Sequence, residues 1–251
     1  MSFYFGEKSW PELKEAIEKD TLVIIPVGTT EEHGRHLPVE TDSMIAKLYG
    51  DELGKALQDK LPVLVTQPIY FGYSMNIVGK WPGTVKIRTR VFMDYMFDMI
   101  DALMTMGFGK IALLDCHGNH DGLLRTVMRE IADKHGKFIC TLSPARLCDA
   151  VYQKIKKDPQ GDIHGGEWET SMILAYRPEL VNQAEYTSVD AIKCNNELRG
   201  PVSTWGLQET KTGLFGDPTY ATAELGKACL KAGVEEGVKI LTQFYNLTRR
   251  I

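Results

Sequence analysis

No window of this 251-residue chain approaches the roughly 18 consecutive apolar residues that a membrane-spanning helix needs. The opening stretch Met1-Ser-Phe-Tyr-Phe-Gly-Glu-Lys8 lacks the basic and then apolar regions of a secretory leader, so the expected location is the cytoplasm. Cysteine is sparse and odd in number: the five stand at 116, 140, 148, 194 and 229, with no Cys-x-x-Cys pair, which argues against a structural zinc knot or a redox dithiol. There is no long block of like charge and the net charge is only -4, so nothing points to nucleic acid. No Gly-x-Gly-x-x-Gly or Walker loop supports a dinucleotide or phosphate-binding enzyme. With no repeat, low-complexity tract or linker, residues 1–251 read as a single domain, long enough for a full hydrophobic core.

Short apolar runs alternate with helix-period segments. Thr21–Val27, Pro62–Thr66, Lys110–Asp115 and Lys137–Leu142 read as strands without strict alternation, as expected where both faces are covered. Between them Ser43–Lys60, Val91–Met106 and Leu123–His135 place apolar residues at helical spacing. Helices are also expected over Glu167–Ala175 and Thr219–Leu247. The rhythm predicts an α/β fold, three-layer α/β/α with a mostly parallel sheet. Residues 183–218 are rich in turn formers and read as pocket wall or oligomer contact, with Gln208 and Lys211 as candidates to touch a substrate.

Five of the six histidines fall in loops: His33, His36, His117, His120 and His164. Loops at the carboxyl ends of parallel strands are where open α/β sheets bind ligands. The segments after Val27 and Asp115 both lie on that edge, so His117 can approach Glu31, His33 and Asp42. Carboxylates and imidazoles together suit Zn²⁺ or Mn²⁺. Cys116, after the apolar run Ile111–Leu114, reads as a buried strand-end thiol rather than a nucleophile.

Gly28-Thr-Thr-Glu-Glu-His-Gly-Arg-His-Leu-Pro-Val-Glu-Thr-Asp42 resembles the signature of the creatininase family. Trp81-Pro-Gly-Thr84, Asp115-Cys-His-Gly-Asn119 and His164-Gly-Gly-Glu-Trp-Glu-Thr-Ser171 are similar to three further motifs of that family, in family order. The resemblance implies two divalent metals per chain, Zn²⁺ and/or Mn²⁺. Glu31, Asp42 and His117 would hold one, His33 and Asp42 the other, with Asp42 bridging. Some members draw a further carboxylate from the residues just after the metal-binding His; Gly118 and Asn119 cannot supply it, and Glu167 is the expected substitute. Two cations about 3.5–4 Å apart can share a hydroxide and polarise a carbonyl. His164 resembles the catalytic His and is expected to carry the proton to the leaving group, with a metal-ligand role as its alternative.

Trp81 and Trp168, adjacent to motifs, and His120 are candidate substrate contacts; His120 could equally cap the helix that follows. His36 reads as an orienting or purely structural group. Glu32 and Arg35, where the family commonly has Gln and Pro, are expected to form a local ion pair. Glu169 is expected to be a helix or supporting carboxylate, and Asp115 and Asp121 to serve a turn and a helix start.

The resemblance implies a hydrolase opening a small, polar, cyclic amide or related C–N bond, assembled as a homo-oligomer, a hexamer by likeness to relatives. The alternative is a ring-opening C–C hydrolase of a keto-inositol on the same two-metal site. A non-catalytic binding protein on this scaffold would show lost ligands, whereas Glu31, His33, Asp42, His117 and His164 are all present.

Overall fold

Four short strands form one parallel sheet: β1 (Leu22–Val27), β2 (Val63–Val65), β3 (Lys110–Asp115) and β4 (Ile139–Leu142), in the order β2-β1-β3-β4. The computed structural model describes residues 2–159, 161–190 and 210–247. Seven α-helices lie among them: α1 (Trp10–Glu18), α2 (Thr41–Leu57), α3 (Thr89–Met106), α4 (Asp121–His135), α5 (Pro144–Ile155), α6 (Glu167–Tyr176) and α7 (Ala223–Leu247).

The alternation of side chains along each strand divides the core in two. Leu22 and Ile24 of β1 point with Val63, Val65, Ala112 and Leu114 into a layer built by α2, α5, α6 and α7. Val23, Ile25 and Val27 point with Leu64, Ile111 and Leu113 into the opposite layer of α3 and α4, edged by α1. Both faces being covered, the strands need no polar alternation, and all six residues of β1 are buried.

The chain runs from β1 to β2 through α2 on the first face, then from β2 past β1 to β3 through α3 on the second. Its direction of winding therefore reverses between β1 and β3. The loops that leave these two strands diverge there, and the crevice between them is where such sheets take ligands. Val27 and Asp115, the last residues of β1 and β3, are register partners, and the Cys116 N–H donates to the Val27 carbonyl at 3.0 Å. Both loops thus start from one fixed point.

The expected elements form, with boundaries moved by a few residues. Two helices go beyond that reading. Helix α1 begins with a reciprocal capping box, Ser9 with Glu12, and Pro11 in its first turn, and rests Leu13, Ala16 and Ile17 on the second layer without burying any residue fully. Helix α5 follows Ser143-Pro144 and packs Leu147, Cys148 and Tyr152 against the first layer. Of the segment read as pocket wall, residues 191–209, which include Gln208, lie outside the described residues.

Helix α7 packs closely on α6. A Cβ at Gly226 would stand 2.0 Å from the Ser171 carbonyl oxygen, a backbone atom that cannot swing aside. Gly122, in the first turn of α4, has nothing near its missing Cβ. Gly226→Ala is expected to cost about 1–3 kcal/mol or more through overpacking. Gly122→Ala is expected to be neutral or stabilising by up to about 1 kcal/mol. Urea denaturation of the two variants checks the contrast.

Candidate metal centre

The loop after β1 reaches the start of α2 because Gly28 has no side chain: a Cβ there would lie 2.5 Å from both the N and the Cα of Ser43. That contact sets the first turn of α2, and with it Asp42, beside the end of β1. The loop is closed by Glu31 N–H donating to Val39 O at 3.0 Å. It is tied to the Trp81–Thr84 loop by Glu32 N–H donating to Thr84 Oγ1 at 3.1 Å and by Val85 N–H donating to Thr30 O at 2.9 Å. His164 arrives on a short antiparallel bridge to Phe215. Gly165 follows at φ +67°, where a Cβ would meet Leu214 and, at 3.2 Å, the His33 carbonyl oxygen. Glycine is needed there on both counts.

These elements bring Glu31, His33, Asp42, His117, His164 and Glu169 into one buried cluster. Three overlapping groups could each grip an ion: Glu31 with Asp42 and His117, His33 with Asp42 and Glu169, and Glu31 with His33 and His164. Asp42 belongs to two of them by different oxygens. Its Oδ1 lies 3.2 Å from His33 Nε2 and its Oδ2 3.1 Å from His117 Nδ1. Glu31 Oε1 lies 3.4 Å from His117 Nδ1 and 3.5 Å from His164 Nδ1, and Glu169 Oε2 is 3.8 Å from His33 Nε2.

The donor set fits a metal on three grounds. First, two ligands about 2.1 Å from a tetrahedral ion stand about 3.4 Å apart, which is the scale of these separations. Second, both oxygens of Glu31 and Oδ2 of Asp42 are buried without a hydrogen-bond partner among the described residues. Buried polar atoms are rarely left so. Third, the tautomers are constrained. His33 Nδ1 faces the Glu31 carbonyl at 3.0 Å, and His164 Nε2 faces the Glu32 carbonyl at 2.6 Å. A carbonyl only accepts, so both ring atoms carry the proton. The opposite nitrogen of each neutral ring then turns a lone pair toward a carboxylate, and only a proton or a metal cation between them makes that favourable. A second nitrogen fixed by a carbonyl is the usual support of a ligating His.

The electrostatics of the metal-free cluster point the same way. Burial alone would lower the His117 pKa, but Glu31 and Asp42 outweigh it and carry it up to about 9. His33 is raised against the same burial penalty by Asp42 and Glu169. Burial would raise Asp42, yet His33 and His117 hold it well below the carboxylate range. Cation-seeking charge is thus stored on the acids, and protons occupy the imidazoles in its place.

Glu167 is not brought to the cluster. Its two oxygens accept the N–H groups of Lys157 and Asp158 at 2.8 and 3.0 Å. Two residues along an α-helix is a turn of about 200°, so Glu167 and Glu169 face opposite ways. Glu169 is the carboxylate aimed at His33, and it also accepts Gly165 N–H at 2.5 Å. This corrects the expectation for both residues. The spacing could have shown it, since only one of them can share the face that follows His164.

His120 is turned to the protein itself: Nε2 accepts the Tyr73 N–H at 3.0 Å, Nδ1 meets Asp115 Oδ1 at 3.0 Å, and the ring stacks on Phe92. Both nitrogens are spent on joining two loops. Glu32 does not pair with Arg35, which instead meets Glu185 at 2.7 Å. Buried Glu32 turns inward and accepts Gly34 N–H at 2.8 Å. His36 meets Thr170 Oγ1 at 2.8 Å and so braces α6 against the loop. Cys116 is held high in pKa by burial and nearby acids, the state of an inert thiol.

A cleft of about 590 Å³ opens from the cluster, with His117, Glu169 and Trp168 in its wall and Asp121, Arg125 and Arg146 among its polar lining. That size suits a small molecule. Trp168 is buried, and its indole N–H is engaged with Cys148 Sγ at 3.2 Å, so it contributes surface rather than a hydrogen bond. Trp81 is half-buried on its loop and does not line this cleft.

The sequence profile of the creatininase family, described as creatinine amidohydrolase, matches residues 6–241. The chain belongs to the creatininase family. It is 26% identical over 258 residues to the 3-dehydro-scyllo-inosose hydrolase of Thermotoga maritima, covering 96% of this chain and 80% of that one. It is 29% identical over 219 residues to the mycofactocin precursor peptide peptidase of Mycolicibacterium smegmatis, covering 82% and 78%. A solved manganese form of creatininase shares the fold with a TM-score of 0.82 at 21% identity, covering 97% of this chain and 98% of that one. This family member is a hydrolase with a candidate metal site at the sheet's switch point.

Glu169→Gln is expected to lower metal occupancy, measured by atomic absorption after dialysis against Mn²⁺ or Zn²⁺. Glu167→Gln is expected to leave occupancy unchanged while lowering the unfolding midpoint, because it weakens the hold on Lys157 and Asp158. Metal loss in the second variant alone would reverse the assignment.

Proposed function

We propose that this chain is a dinuclear, metal-dependent hydrolase acting on the carbonyl of a small polar substrate. The reading is carried by Asp42, whose two oxygens face His33 on one side and His117 on the other. Glu31, Asp42 and His117 would hold one divalent ion, and His33, Asp42 and Glu169 the other, with zinc and manganese both suited to such donors. When bound, such ions supply a nucleophile from water near neutral pH and a Lewis acid for the substrate carbonyl.

The chain's own residues do the rest. His164 presents Nδ1 to the cluster because Glu32 O holds its other nitrogen. It is the proton carrier of this reading, taking a proton from the attacking side and giving it to the leaving group. Trp168 and the β3–α4 and β4–α5 loops enclose the substrate and limit water.

The bond cut is a C–N bond of a cyclic amide or a related amide. Support for a second reading, ring opening of a keto-inositol by C–C cleavage, comes from the Thermotoga maritima relative, which matches across 96% of this chain. Both begin with attack on a carbonyl, and they differ in whether His164 delivers its proton to nitrogen or to carbon. The protein is read as a cytoplasmic homo-oligomer, a hexamer by likeness to its relatives.

A panel of cyclic amides, formamides and keto-inositols, assayed with metal-loaded protein, separates the two readings. Chelator treatment is expected to abolish turnover, with Mn²⁺ or Zn²⁺ restoring it. Asp42→Asn is expected to lose both ions, since it serves both positions; retention of both would sink the bridging role. His164→Ala is expected to keep both ions and to lose about 10²–10⁴-fold in kcat. Equal loss of metal in that variant would move His164 into the ligand set.

A further inference from the structure

Asp115 closes β3 with its two carboxylate oxygens in different states. Oδ1 accepts the His117 main-chain N–H at 3.2 Å and faces His120 Nδ1 at 3.0 Å. His120 Nε2 accepts the Tyr73 N–H, so the ring proton sits on Nδ1 and is donated to Asp115. The seat of that imidazole is built: it is fully buried, it stacks on Phe92, and a Cβ at Gly72 would stand 2.4 Å from its Nε2. Oδ2 has no hydrogen-bond partner among the described residues, and it is not sealed from solvent. The side chain is 8% exposed and lines the cleft together with His117. Neighbouring carboxylates of the wall are engaged or closed off. Asp121 takes Arg125 Nε with both oxygens, Glu169 is turned to His33, and Oδ1 of Asp162 is buried.

We infer that Asp115 is a substrate-binding residue, its Oδ2 accepting a hydrogen bond from an N–H or O–H group beside the carbonyl under attack. A few fixed polar groups in a cleft wall are what orient a small ligand. Here the His117 N–H and the His120 ring hold one oxygen, so the other is in place before a substrate arrives. The acceptor and a candidate metal ligand share one three-residue stretch, since His117 Nδ1 faces Glu31 and Asp42 at 3.4 and 3.1 Å. Substrates of this site therefore carry a donor next to the carbonyl. A lactam offers its N–H and a keto-inositol its neighbouring hydroxyl, whereas an N-methylated amide or a plain ketone offers neither.

This inference rests on the reading of a carbonyl attacked at the metal cluster, and the test keeps the two apart. Acetohydroxamate and N-methylacetohydroxamate are the probes. Both offer the same pair of oxygens to metal ions, and only the first carries an N–H. Calorimetric titration of zinc-loaded protein is expected to show the first binding about tenfold or more tightly than the second. Asp115→Asn keeps an acceptor for the His117 N–H and for His120 but sets an amide donor in place of Oδ2. It is expected to retain its metal and to bring the two affinities within about twofold of each other. Equal binding by the wild-type protein, or a preference that survives in Asp115→Asn, overturns the inference. Metal loss in Asp115→Asn also overturns it, because Asp115 would then be a support of His117. Failure of both hydroxamates to bind metal-loaded protein overturns the proposed function, and the inference falls with it. Turnover shows which donor is read. Preference for hydantoin over its fully N-methylated form marks an N–H, and preference for a keto-inositol over cyclohexanone marks a hydroxyl. Asp115→Asn is expected to raise KM for the favoured compound by about tenfold or more, with a smaller change in kcat. Turnover without preference in either pair overturns the inference.

Discussion

Buried carboxylates without hydrogen-bond partners are costly, and this fold gathers several around one aspartate. Asp42 and Glu31 are within 1% of complete burial, yet three of their four carboxylate oxygens have no partner among the described residues. Desolvating such charge is unfavourable by several kcal/mol per group unless opposite charge comes with it. Imidazolium at His33 and His117 is one way to supply that charge, and divalent cations are the other. The rest of the architecture serves to hold these groups in place against their own preference for water. Gly28 lets α2 start beside β1, Gly165 lets the His164 loop pass under His33, and the sheet reverses its winding where the two loops must part.

The same constraint explains why so much polar hydrogen bonding sits just outside the cluster. His36 with Thr170, His120 with Asp115 and Tyr73, and Thr84 with Glu32 each lock a loop that carries a ligand or its neighbour. None of them belongs to the candidate metal-binding groups. They pre-organise the donors, so that little reorganisation is needed when a cation arrives. The parallel sheet contributes rigidity, because β1 and β3 are buried along their whole length and cannot shift without disturbing both core layers.

Much of this was legible in the chain. Buried parallel strands announce themselves as continuous apolar runs, and β1 and β3 were readable to within a residue. The helices α2, α3, α4 and α7 showed their period because each buries one stripe, whereas α6 is buried on all sides. The ligand loop was readable because its donors are close in sequence and follow a strand. Glu169 was misjudged because the choice between two carboxylates in one helical turn depends on which face points inward, and the flanking residues give that only through the position of His164. His120 stays open between two readings in the sequence because a histidine in a loop near a site looks the same whether it meets a substrate or joins two segments. The sequence pairs Glu32 with its neighbour Arg35 because the burial that turns Glu32 inward depends on Gly213, far along the chain.

The two acids that open α6 also tie together parts of the molecule that would otherwise be independent. Glu169 looks into the cluster while Glu167, less than a turn away, clasps the main chain at Lys157 and Asp158. A rigid helical turn therefore works as a lever with its arms in two places. Any shift of the backbone that follows α5 is passed to the carboxylate beside His33, and the reverse. This stretch of the cleft cannot be remodelled to admit a new substrate without retuning the chemistry next to it.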